Sequence, residues 1–460
     1  MIRIENASFK YQHTEDLSVN SVNLKIKDGE FVVLTGPSGS GKTTVTRLIN
    51  ALIPHFYEGA FEGNVYINEK NTRSSEPHDL FRMMGSVFQN PRSQFFSFDT
   101  DSEIVFGMEN MGMERDRMVK RHQETIKALG LEELCGKKLF EMSGGQKQRI
   151  AFASVWAMDP DIYVLDEPSS NLDEETTDIL HDYLKDLKAR GKTVIISEHR
   201  LYYLSDLLDR LVIVNDGQIK SDISSSELSQ MSKEEISELH IRSLSKTELD
   251  KPFLTRIPRT SFFGPSNDGN VLEVKDLAIG YTPGHPVAKN ISFAVRKGEV
   301  IGIKGRNGCG KSTLARTISG LEKKLGGSFR YQGGKPYLVM QDSDYQLYCD
   351  SVNEELRRTD KGEDENLRKE VMHKLGLEKY QDRHPLSLSG GQKQRTAIGV
   401  AALMNTDVLI FDEPTSGLDL GNMHKVTEII KDLSIQGKAV LVISHDDEFI
   451  KEACDYIYQL

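Results

Sequence analysis

Short apolar runs and longer amphipathic stretches alternate along the whole chain. Runs such as VVLT at 32–35 and IYVL at 162–165 have the length of buried strands, and the stretches between such runs are long enough for helices. Residues 1–5 (MIRIE) instead alternate apolar and charged side chains, which is typical of a half-exposed strand. Strands that alternate with helices predict an α/β protein with mainly parallel sheets.

The pattern is repeated, because three motifs recur in the same order in the two halves of the chain. A glycine-rich loop reads GPSGSGKT at 36–43 and GRNGCGKS at 305–312. A second motif reads MSGGQKQR at 142–149 and LSGGQKQR at 388–395, and an apolar strand with an acidic end reads YVLDEP at 163–168 and LIFDEP at 409–414. From the serine of the second motif to the histidine after a later apolar strand, the spacing is 56 residues in both halves.

The repeat predicts two α/β domains, 1–220 and 271–460. Residues 221–270 between them are polar and rich in serine before they reach Pro252 and Pro258, and they predict a linker that contains a short helix. Such a tether keeps two domains at a high effective concentration.

Charge, apolar run length and cysteine content indicate which partners and which cell compartment the protein can have. With 58 basic and 69 acidic residues the chain has a formal net charge of −11, which gives no basic field for a nucleic-acid backbone. The longest apolar runs, such as AVLVI at 439–443, fall far short of the roughly 20 residues that a membrane-spanning helix needs. No signal-peptide pattern opens the sequence and its four cysteines form no Cys-x-x-Cys pair, so we expect reduced thiols and a location inside the cell.

The glycine-rich loops carry the chemistry of a phosphate-binding loop. In the pattern GxxxxGK[ST], glycines let backbone N–H groups approach phosphates at a helix N-terminus, where the helix dipole also favours anions. Lys42 and Lys311 are predicted to reach the β- and γ-phosphates of ATP. A hydroxyl and a strand-end carboxylate from each half are predicted to hold Mg²⁺: Thr43 with Asp166, and Ser312 with Asp412. Further nucleotide contacts are predicted for other loop and helix-start residues: Gly36, Ser38, Gly39, Gly41, Thr44, Gly305, Asn307, Gly308, Gly310 and Thr313.

An acidic and an imidazole side chain complete each half. Glu167 and Glu413 directly follow the strand-end aspartates, where a carboxylate can orient or deprotonate the water that attacks a γ-phosphate, and we expect them to be the catalytic bases. The alternative for either is a carboxylate that caps the next helix. His199 and His445 follow apolar strands, where an imidazole can hydrogen-bond the γ-phosphate. A lone histidine there would more often be packed in the core, but the matching spacing favours the phosphate role.

The SGGQ segments hold no catalytic base. A serine hydroxyl, glycine N–H groups and a helix start form an anion-binding surface in each, from Ser143 and Gly145 in one half and from Ser389 and Gly391 in the other. These surfaces need a nucleotide that is bound elsewhere. Together with the repeat, the motifs resemble those of the ATP-binding-cassette (ABC) ATPases, and the resemblance spans nearly the whole chain outside the linker.

The resemblance implies two P-loop NTPase domains in tandem, each with a RecA-like core, an antiparallel β subdomain and a helical subdomain that carries the signature SGGQ. It implies two composite sites, in which the signature of one half covers the MgATP held by the other. It adds residues to each site: Gln89 and Gln341 at the nucleotide and Mg²⁺, Tyr11 and Tyr281 on the adenine, and Asp173 and Asp419 in the D-loops. A strand aromatic can also merely pack, and Asn171 stands where the other half has Gly417, which could make the two sites unequal.

The glutamine loops, VFQNPRSQFFSFDT at 87–100 and VMQDSDYQLYCDSV at 339–352, each carry a second glutamine five residues on. They are similar to those of the ATPase of energy-coupling-factor (ECF) importers, which take up vitamins or transition-metal ions. This resemblance implies two partners, a transmembrane coupling protein and a substrate-binding membrane protein, and peripheral attachment at the cytoplasmic face of the membrane. Short helices of the coupling protein would enter the groove beside the glutamines. Ser343 in place of Pro91, and Arg92 where an acidic residue is usual, depart from that pattern.

Two rival functions share parts of this evidence. A tandem ATPase of a sugar or peptide importer would use the same catalytic residues, although sugar-type tandems often carry a degenerate half and neither half here is degenerate. A translation factor with two cassettes would need no membrane partner, but its family has a long basic helical linker and an asparagine–histidine pair in the D-loop, and this sequence has neither.

Overall fold

The computed structural model describes residues 1–12, 14, 16–170, 172–247, 249–254, 269–359 and 364–460. The chain separates into two compact units, Met1–Lys246 and Thr247–Leu460. The division therefore falls inside the segment predicted as a linker, and residues 218–238 of unit 1 form a strand and two short helices. The comparison of Asn171 with Gly417, and the part of the linker around Pro258, lie outside the described residues.

Unit 1 combines a four-stranded antiparallel sheet with a six-stranded sheet. The six-stranded sheet is parallel except that its edge strand β10 runs antiparallel to β9. The antiparallel sheet has the order β2-β1-β4-β5 and the larger sheet the order β10-β9-β3-β8-β7-β6. The strands are β1 (Ile2–Tyr11), β2 (Val19–Ile26), β3 (Phe31–Thr35), β4 (Gly59–Ile67), β5 (Lys70–Asn71), β6 (Met84–Val87), β7 (Ile162–Asp166), β8 (Thr193–Ser197), β9 (Arg210–Asn215) and β10 (Gln218–Ser224). The helices are α1 (Lys42–Ile49), α2 (Leu52–His55), α3 (Pro77–Phe81), α4 (Thr100–Asn110), α5 (Arg115–Leu129), α6 (Gly144–Met158), α7 (Glu174–Ala189), α8 (Ser225–Leu228) and α9 (Lys233–Glu238).

The apolar runs become strands because both of their faces are buried. In β3, Val32 and Leu34 pack toward the antiparallel sheet, whereas Phe31 and Val33 pack toward the large helices on the other face. Residues on a strand alternate between faces, so a continuous apolar run fits only a sheet that is covered on both sides. Each such side chain contributes about 1.5–3 kcal/mol relative to an exposed one.

Unit 2 repeats the plan with fewer strands. A three-stranded antiparallel sheet has the order β12-β11-β14, and a fully parallel sheet has the order β15-β16-β17-β13-β18. The strands are β11 (Asn270–Ile279), β12 (Ala288–Arg296), β13 (Val300–Lys304), β14 (Gly326–Tyr331), β15 (Tyr337–Val339), β16 (Val408–Asp412), β17 (Ala439–Ile443) and β18 (Tyr456–Gln459). The helices are α10 (Lys311–Ile318), α11 (Val352–Thr359), α12 (Glu365–Lys374), α13 (Gly390–Leu403), α14 (Leu420–Ile435) and α15 (Asp447–Ala453).

The prediction of an α/β fold is confirmed, with an antiparallel sheet, a mainly parallel sheet and a helical region in each half. Short 3₁₀ turns precede the main helices of the helical regions: Pro91–Ser93, Glu132–Leu134, Leu139–Glu141, Ser343–Tyr345, Glu378–Tyr380 and Pro385–Ser387. Within the described ranges no helix is long and apolar enough to cross a bilayer.

Candidate functional site: two phosphate loops and their surroundings

The phosphate loop of unit 1, residues 36–42, joins the end of β3 to the start of α1. Gly36, Gly39 and Gly41 have φ angles of +134°, +79° and +105°, which only glycine adopts without strain. A Cβ on Gly36 would lie 2.0 Å from the carbonyl oxygen of Val214, whereas one on Gly39 would meet nothing within 4 Å. The loop is therefore anchored at its first glycine, and its middle glycine leaves room for a phosphate to approach the backbone.

The loop of unit 2, residues 305–311, joins β13 to α10 in the same way. Gly308 and Gly310 have φ angles of +83° and +107°, and a Cβ on Gly308 would again meet nothing within 4 Å. A Cβ on Gly305 would lie 2.9 Å from the carbonyl oxygen of Leu460, the repeat equivalent of Val214, and also 2.7 Å from Sγ of Cys309.

The loop lysines are buried and held by their own loops. Lys42 is 4 % and Lys311 is 7 % exposed. Nζ of Lys42 donates to the carbonyl oxygens of Gly36 and Pro37, both at 2.9 Å. Nζ of Lys311 makes the same pair of bonds to the first two carbonyls of its loop, at 2.8 and 3.0 Å. Both ammonium groups therefore lie inside the curve of backbone N–H groups where phosphates would bind.

A hydroxyl at each helix start lies beside the carboxylate at the end of a parallel strand. Oγ1 of Thr43 donates to Oδ1 of Asp166 at 3.2 Å. Burial, with the charge of Glu167 as a smaller cause, raises the pKa of Asp166 to about 6. Burial also raises the pKa of Asp412, against the effect of a hydrogen bond from Ser312. Oδ1 of Asp412 is buried without a hydrogen-bond partner among the described residues. Hydroxyl and carboxylate oxygens in such a pocket fit Mg²⁺, whose charge would favour the ionised carboxylates.

Glu167 and Glu413 occupy the first position after β7 and after β16, with backbone strain that is the same in the two units. Their φ angles are +44° and +52°, in the left-handed region that costs a non-glycine residue about 1–2 kcal/mol. Each is held there by the neighbouring strand, because the N–H of Glu167 donates to the carbonyl of Ser197 at 2.8 Å and that of Glu413 to Ile443 at 2.9 Å. Strain that is kept in place by the surrounding fold is found mainly at functional positions.

The alternative role for these glutamates, as helix caps, is taken by other residues. The side chain of Asp173 accepts from the N–H of Thr176 at the start of α7. The side chain of Asp419 does the same for Asn422 at the start of α14.

The predicted partners of Glu167 surround its carboxylate. Nε2 of Gln89 donates to Oε2 of Glu167 at 2.7 Å, and Nε2 of His199 lies 3.4 Å from Oε1. Gln89 also lines the same cavity as the Mg²⁺ candidates of its unit, although its amide nitrogen is bonded to the glutamate. In unit 2, Nε2 of His445 lies 3.6 Å from Oε1 of Glu413.

Unit 2 adds a contact that is specific to its loop sequence. Nε2 of His445 lies 3.2 Å from Oδ1 of Asn307. The corresponding loop position of unit 1 is Ser38, which is shorter, so the two histidines have different neighbours on the side of the phosphate loop.

Glu198 is a buried carboxylate that the sequence patterns did not single out. It is 2 % exposed, and its two oxygens accept from the N–H groups of Ser169 at 3.3 Å, His199 at 2.8 Å and Arg200 at 3.3 Å, and from the hydroxyl of Tyr203 at 2.8 Å. It therefore ties the histidine that follows β8 to the turn that follows β7.

In unit 2 a shorter carboxylate takes a related place after the histidine. Asp446 accepts from the hydroxyl of Thr415 at 3.0 Å and from the N–H of Phe449 at 3.2 Å. The position of unit 2 that corresponds to Glu198 is Ser444, which directly precedes His445, so unit 2 has a hydroxyl there in place of the carboxylate.

The predicted adenine-stacking tyrosines differ in exposure. Tyr281 is 59 % exposed, and its hydroxyl shares a hydrogen bond with Oγ1 of Thr313 at 3.1 Å. Tyr11 makes the matching bond to Thr44 at 3.3 Å and also accepts from Arg47 at 2.7 Å. Both tyrosines are thus tied to the helix that follows their phosphate loop.

The ring of Tyr11 is enclosed on several sides. It packs edge to face on Phe9 and on Tyr57, with centroids 4.8 and 6.0 Å apart, and the guanidinium of Arg47 lies 4.1 Å from the ring centroid of Tyr57. Arg47, Tyr57 and the Mg²⁺ candidates line one cavity of about 320 Å³ between α1, the glutamine loop and β7. Neither Arg47 nor Tyr57 stands in a recognisable motif, and only the folded chain shows them beside the site.

The signature serines cap the helices that follow them. Oγ of Ser143 accepts from the N–H of Gln146, whose side chain accepts from the N–H of Ser143, and Ser389 and Gln392 form the same reciprocal pair. This capping box satisfies backbone donors at the helix start and leaves each hydroxyl hydrogen available. Among the described residues, neither serine is hydrogen-bonded to the phosphate loop of its own unit.

The second glutamines and two buried glutamates shape the glutamine loops. Oε1 of Gln94 accepts from the N–H of Phe88 at 3.1 Å, and Gln346 does the same for Met340 at 2.7 Å. Glu103, 2 % exposed, accepts from two consecutive N–H groups of the loop, at residues 96 and 97. Glu355 holds residues 348 and 349 in the same way.

Comparison with known proteins agrees with this geometry. The family model described as ABC transporter matches residues 19–170 and again 288–416, more than half of the chain. The chain belongs to the ABC transporter family. It is a tandem ABC ATPase, so ATP hydrolysis is its chemistry.

Curated relatives match nearly the whole length of this tandem ABC ATPase. A candidate ABC transporter ATP-binding protein of Treponema denticola is 43 % identical over 99 % of this chain and 94 % of its own length. A candidate HMP/thiamine import ATP-binding protein of Bacillus subtilis, YkoD, is 29 % identical over 100 % of this chain and 90 % of its own. Among solved structures, an archaeal ribosome recycling factor, aABCE1, has a TM-score of 0.65 at 22 % identity, over 98 % of this chain and 86 % of its own. At that identity the likeness concerns the fold alone.

Proposed function

We propose that the chain is the ATP-hydrolysing subunit of an ECF-type importer for a vitamin or a metal ion, attached to the cytoplasmic face of the membrane through transmembrane partners. The observation that carries the catalytic part is the pair of glutamates, Glu167 and Glu413, each held at a positive φ beside a hydroxyl, a carboxylate and a histidine.

The residues of each unit have distinct tasks in hydrolysis. Bound MgATP supplies the phosphoryl group and a divalent charge that offsets the charge on it. Lys42 and the loop N–H groups orient the phosphates, while the carboxylate of Glu167 accepts a proton from the attacking water. Gln89 holds that carboxylate by a hydrogen bond, and His199 lies 3.4 Å from its other oxygen. Lys311, Glu413 and His445 do the same in unit 2.

We infer that each site takes the signature motif of the other unit, as the resemblance to ABC ATPases implies. A γ-phosphate could be bound by groups of each signature motif: the serine hydroxyl hydrogen, a glycine N–H and the start of the helix behind them, from Ser143 and Gly145 or from Ser389 and Gly391. Among the described residues, neither serine contacts the phosphate loop of its own unit through a hydrogen bond. The resemblance then assigns Ser389 to ATP held at Lys42, and Ser143 to ATP held at Lys311.

The transport part rests on the glutamine loops and on the relatives. Large aromatic side chains stand exposed within each glutamine loop, among them Phe96 and Phe98 in unit 1 and Tyr348 in unit 2. Exposed apolar groups of this kind mark interaction surfaces. Gln89 links this region to the catalytic Glu167 by a single hydrogen bond, so movement of a bound partner segment and hydrolysis would be coupled there.

Replacing each glutamate by glutamine tests the catalytic assignment. Glu167→Gln and Glu413→Gln should each lower hydrolysis at their own site about 10²- to 10⁴-fold while ATP binding remains, because an amide cannot accept the proton. Glu62→Gln, an exposed glutamate on β4, is the matched control. Phosphate release and binding of a fluorescent ATP analogue would be measured for each variant. Undiminished turnover in both single variants and in the double variant would overturn the assignment.

Capture from native membranes tests the transport assignment. The tagged chain should recover a polytopic coupling protein together with a small substrate-binding membrane protein from detergent extracts. Recovery of a conventional permease pair would instead indicate the sugar or peptide importer, and recovery of ribosomes would indicate the translation factor.

A further inference from the structure

The surfaces built around the two glutamine loops carry different charges at equivalent positions. We define surface 1 by Arg92, Phe96, Phe98, Phe140 and Lys147 of unit 1. Surface 2 consists of the residues at the equivalent repeat positions of unit 2: Asp344, Tyr348, Asp350, Leu386 and Lys393. Arg92 thus stands where unit 2 has Asp344, and Phe98 stands where it has Asp350.

Surface 1 is built around exposed phenylalanines. Phe96, Phe98 and Phe140 are 74 %, 84 % and 67 % exposed. Contacts with the fold fix two of them. The ring of Phe96 stacks on that of Phe106 with centroids 5.0 Å apart, and the backbone carbonyl of Phe98 accepts from the N–H of Leu139 at 2.9 Å. An apolar cluster that the fold holds open to solvent is suited to a partner.

Surface 1 also carries two cations without a counter-charge. Lys147 is only 6 % exposed, and burial together with the nearby charge of Arg92 lowers its pKa. Among the described residues no carboxylate forms an ion pair with Lys147 or with Arg92. Burying an ammonium group beside another cation is unfavourable, so the site as folded favours the arrival of an anion.

In surface 2 the equivalent lysine forms an ion pair within its own unit. Nζ of Lys393, the repeat equivalent of Lys147, pairs with Asp344 at 2.8 Å. Asp342 and Asp350, at the positions of Asn90 and Phe98, are exposed and add negative charge to its rim. The cation of surface 2 is therefore already neutralised, and among the residues that define this surface the carboxylates outnumber the single lysine.

We propose that surface 1 binds a segment of the membrane partner that carries a carboxylate among apolar side chains, whereas surface 2 binds a segment that carries a cationic side chain. The inference rests on the proposed function, since it takes the partner to be the membrane subunit. Opposite charges at equivalent positions favour the correct pairing and penalise the exchanged one, because the wrong segment meets like charge. The two cassettes are then not interchangeable, and the partner can dock in one orientation.

Site-specific photo-crosslinking in native membranes tests the proposal on the full chain. Benzoylphenylalanine would replace Phe140 in one preparation and Leu386, its repeat equivalent, in another, and the crosslinked peptides would be sequenced by mass spectrometry. Peptides captured at 140 should carry Asp or Glu within one helical turn, and those captured at 386 should carry Lys or Arg.

Charge variants give the second readout. Arg92→Asp should reduce the crosslink yield at 140 by about tenfold, the factor that corresponds to 1.4 kcal/mol, while Arg92→Lys retains it. Lys27→Asp, which makes the same charge change at an exposed turn of unit 1, is the control and should retain the yield. Asp344→Arg should reduce the yield at 386. Thermal unfolding would verify that every variant is folded.

The outcomes separate this inference from the function on which it rests. Equal yields for wild type and Arg92→Asp, or peptides of the same charge at both positions, would overturn the charge assignment and leave the membrane partner established. If the wild-type chain crosslinks to no integral membrane protein at either position, the proposed function fails and the inference fails with it.

Discussion

Removal of the Glu198 carboxylate should destabilise unit 1 more than the loss of any other non-catalytic polar side chain in the turns that follow β7 and β8. Glu198→Ala would leave the N–H groups of Ser169 and His199 and the hydroxyl of Tyr203 without their acceptor, and these three residues are 0 %, 4 % and 4 % exposed. Each buried donor that loses its partner costs about 1–3 kcal/mol. Allowing for partial relaxation, we expect a loss of about 4 kcal/mol, a large fraction of the roughly 5–15 kcal/mol that stabilises a typical domain.

Two milder variants calibrate that figure. Glu198→Gln keeps one acceptor oxygen and should cost about half as much. Tyr203→Phe removes a single hydrogen bond and should cost about 1–1.5 kcal/mol. The expected order of destabilisation is therefore Glu198→Ala, then Glu198→Gln, then Tyr203→Phe.

Urea unfolding followed by tryptophan fluorescence provides the assay. The chain has one tryptophan, Trp156, which is 6 % exposed in α6, so its emission reports the unfolding of unit 1. Hydrolysis by unit 1 should fall as well, because His199 loses the bond that fixes its backbone beside Glu167. If Glu198→Ala lowers the free energy of unfolding by less than about 1 kcal/mol, or by no more than Tyr203→Phe does, the hydrogen bonds accepted by Glu198 do not stabilise this region as inferred.

Three further changes follow from the same contacts. Gly36→Ala should abolish MgATP binding at unit 1, since its Cβ would lie 2.0 Å from a carbonyl oxygen, whereas Gly326→Ala, with an ordinary contact at 3.5 Å, should bind normally in an equilibrium binding assay. Glu103→Ala should speed amide hydrogen exchange at residues 96 and 97 by about tenfold or more, because charged hydrogen bonds contribute about 1.5–3 kcal/mol; unchanged exchange would exclude its positioning role. Tyr281→Ala should weaken binding of a fluorescent ATP analogue by unit 2 about three- to tenfold while Tyr281→Phe does not, and equal affinities for the two variants would rule out stacking.

The contacts that follow from strand ends could be predicted from the sequence. Thr43 and Asp166 lie 123 residues apart, but Thr43 starts the helix after β3 and Asp166 ends β7, so both lie at the carboxyl edge of one parallel sheet and the motifs alone place them together. The same reasoning placed Glu167 next to the phosphate loop. The positive φ of Glu167 could not be predicted from the sequence, because that angle depends on a hydrogen bond to the carbonyl of Ser197 in a neighbouring strand.

Contacts made by buried side chains outside the motifs could not be predicted. Glu198 stands where the other half has Ser444, so comparison of the two halves did not mark it as part of a shared motif. Glu103 reaches back from α4 to the loop before it, and this depends on how the helix start is oriented. The sequence marked Arg92 as unusual, whereas its proximity to Lys147, 55 residues away, required the packing of a 3₁₀ turn against α6.

The positive φ of Glu167 and Glu413 also sets a limit on how stable this fold can be. Glycine at either position would relieve about 1–2 kcal/mol of backbone strain without disturbing the core. A chain selected for stability alone would therefore favour glycine at the end of both strands. This chain keeps a carboxylate at both, so each cassette gives up some resistance to unfolding for the sake of its chemistry.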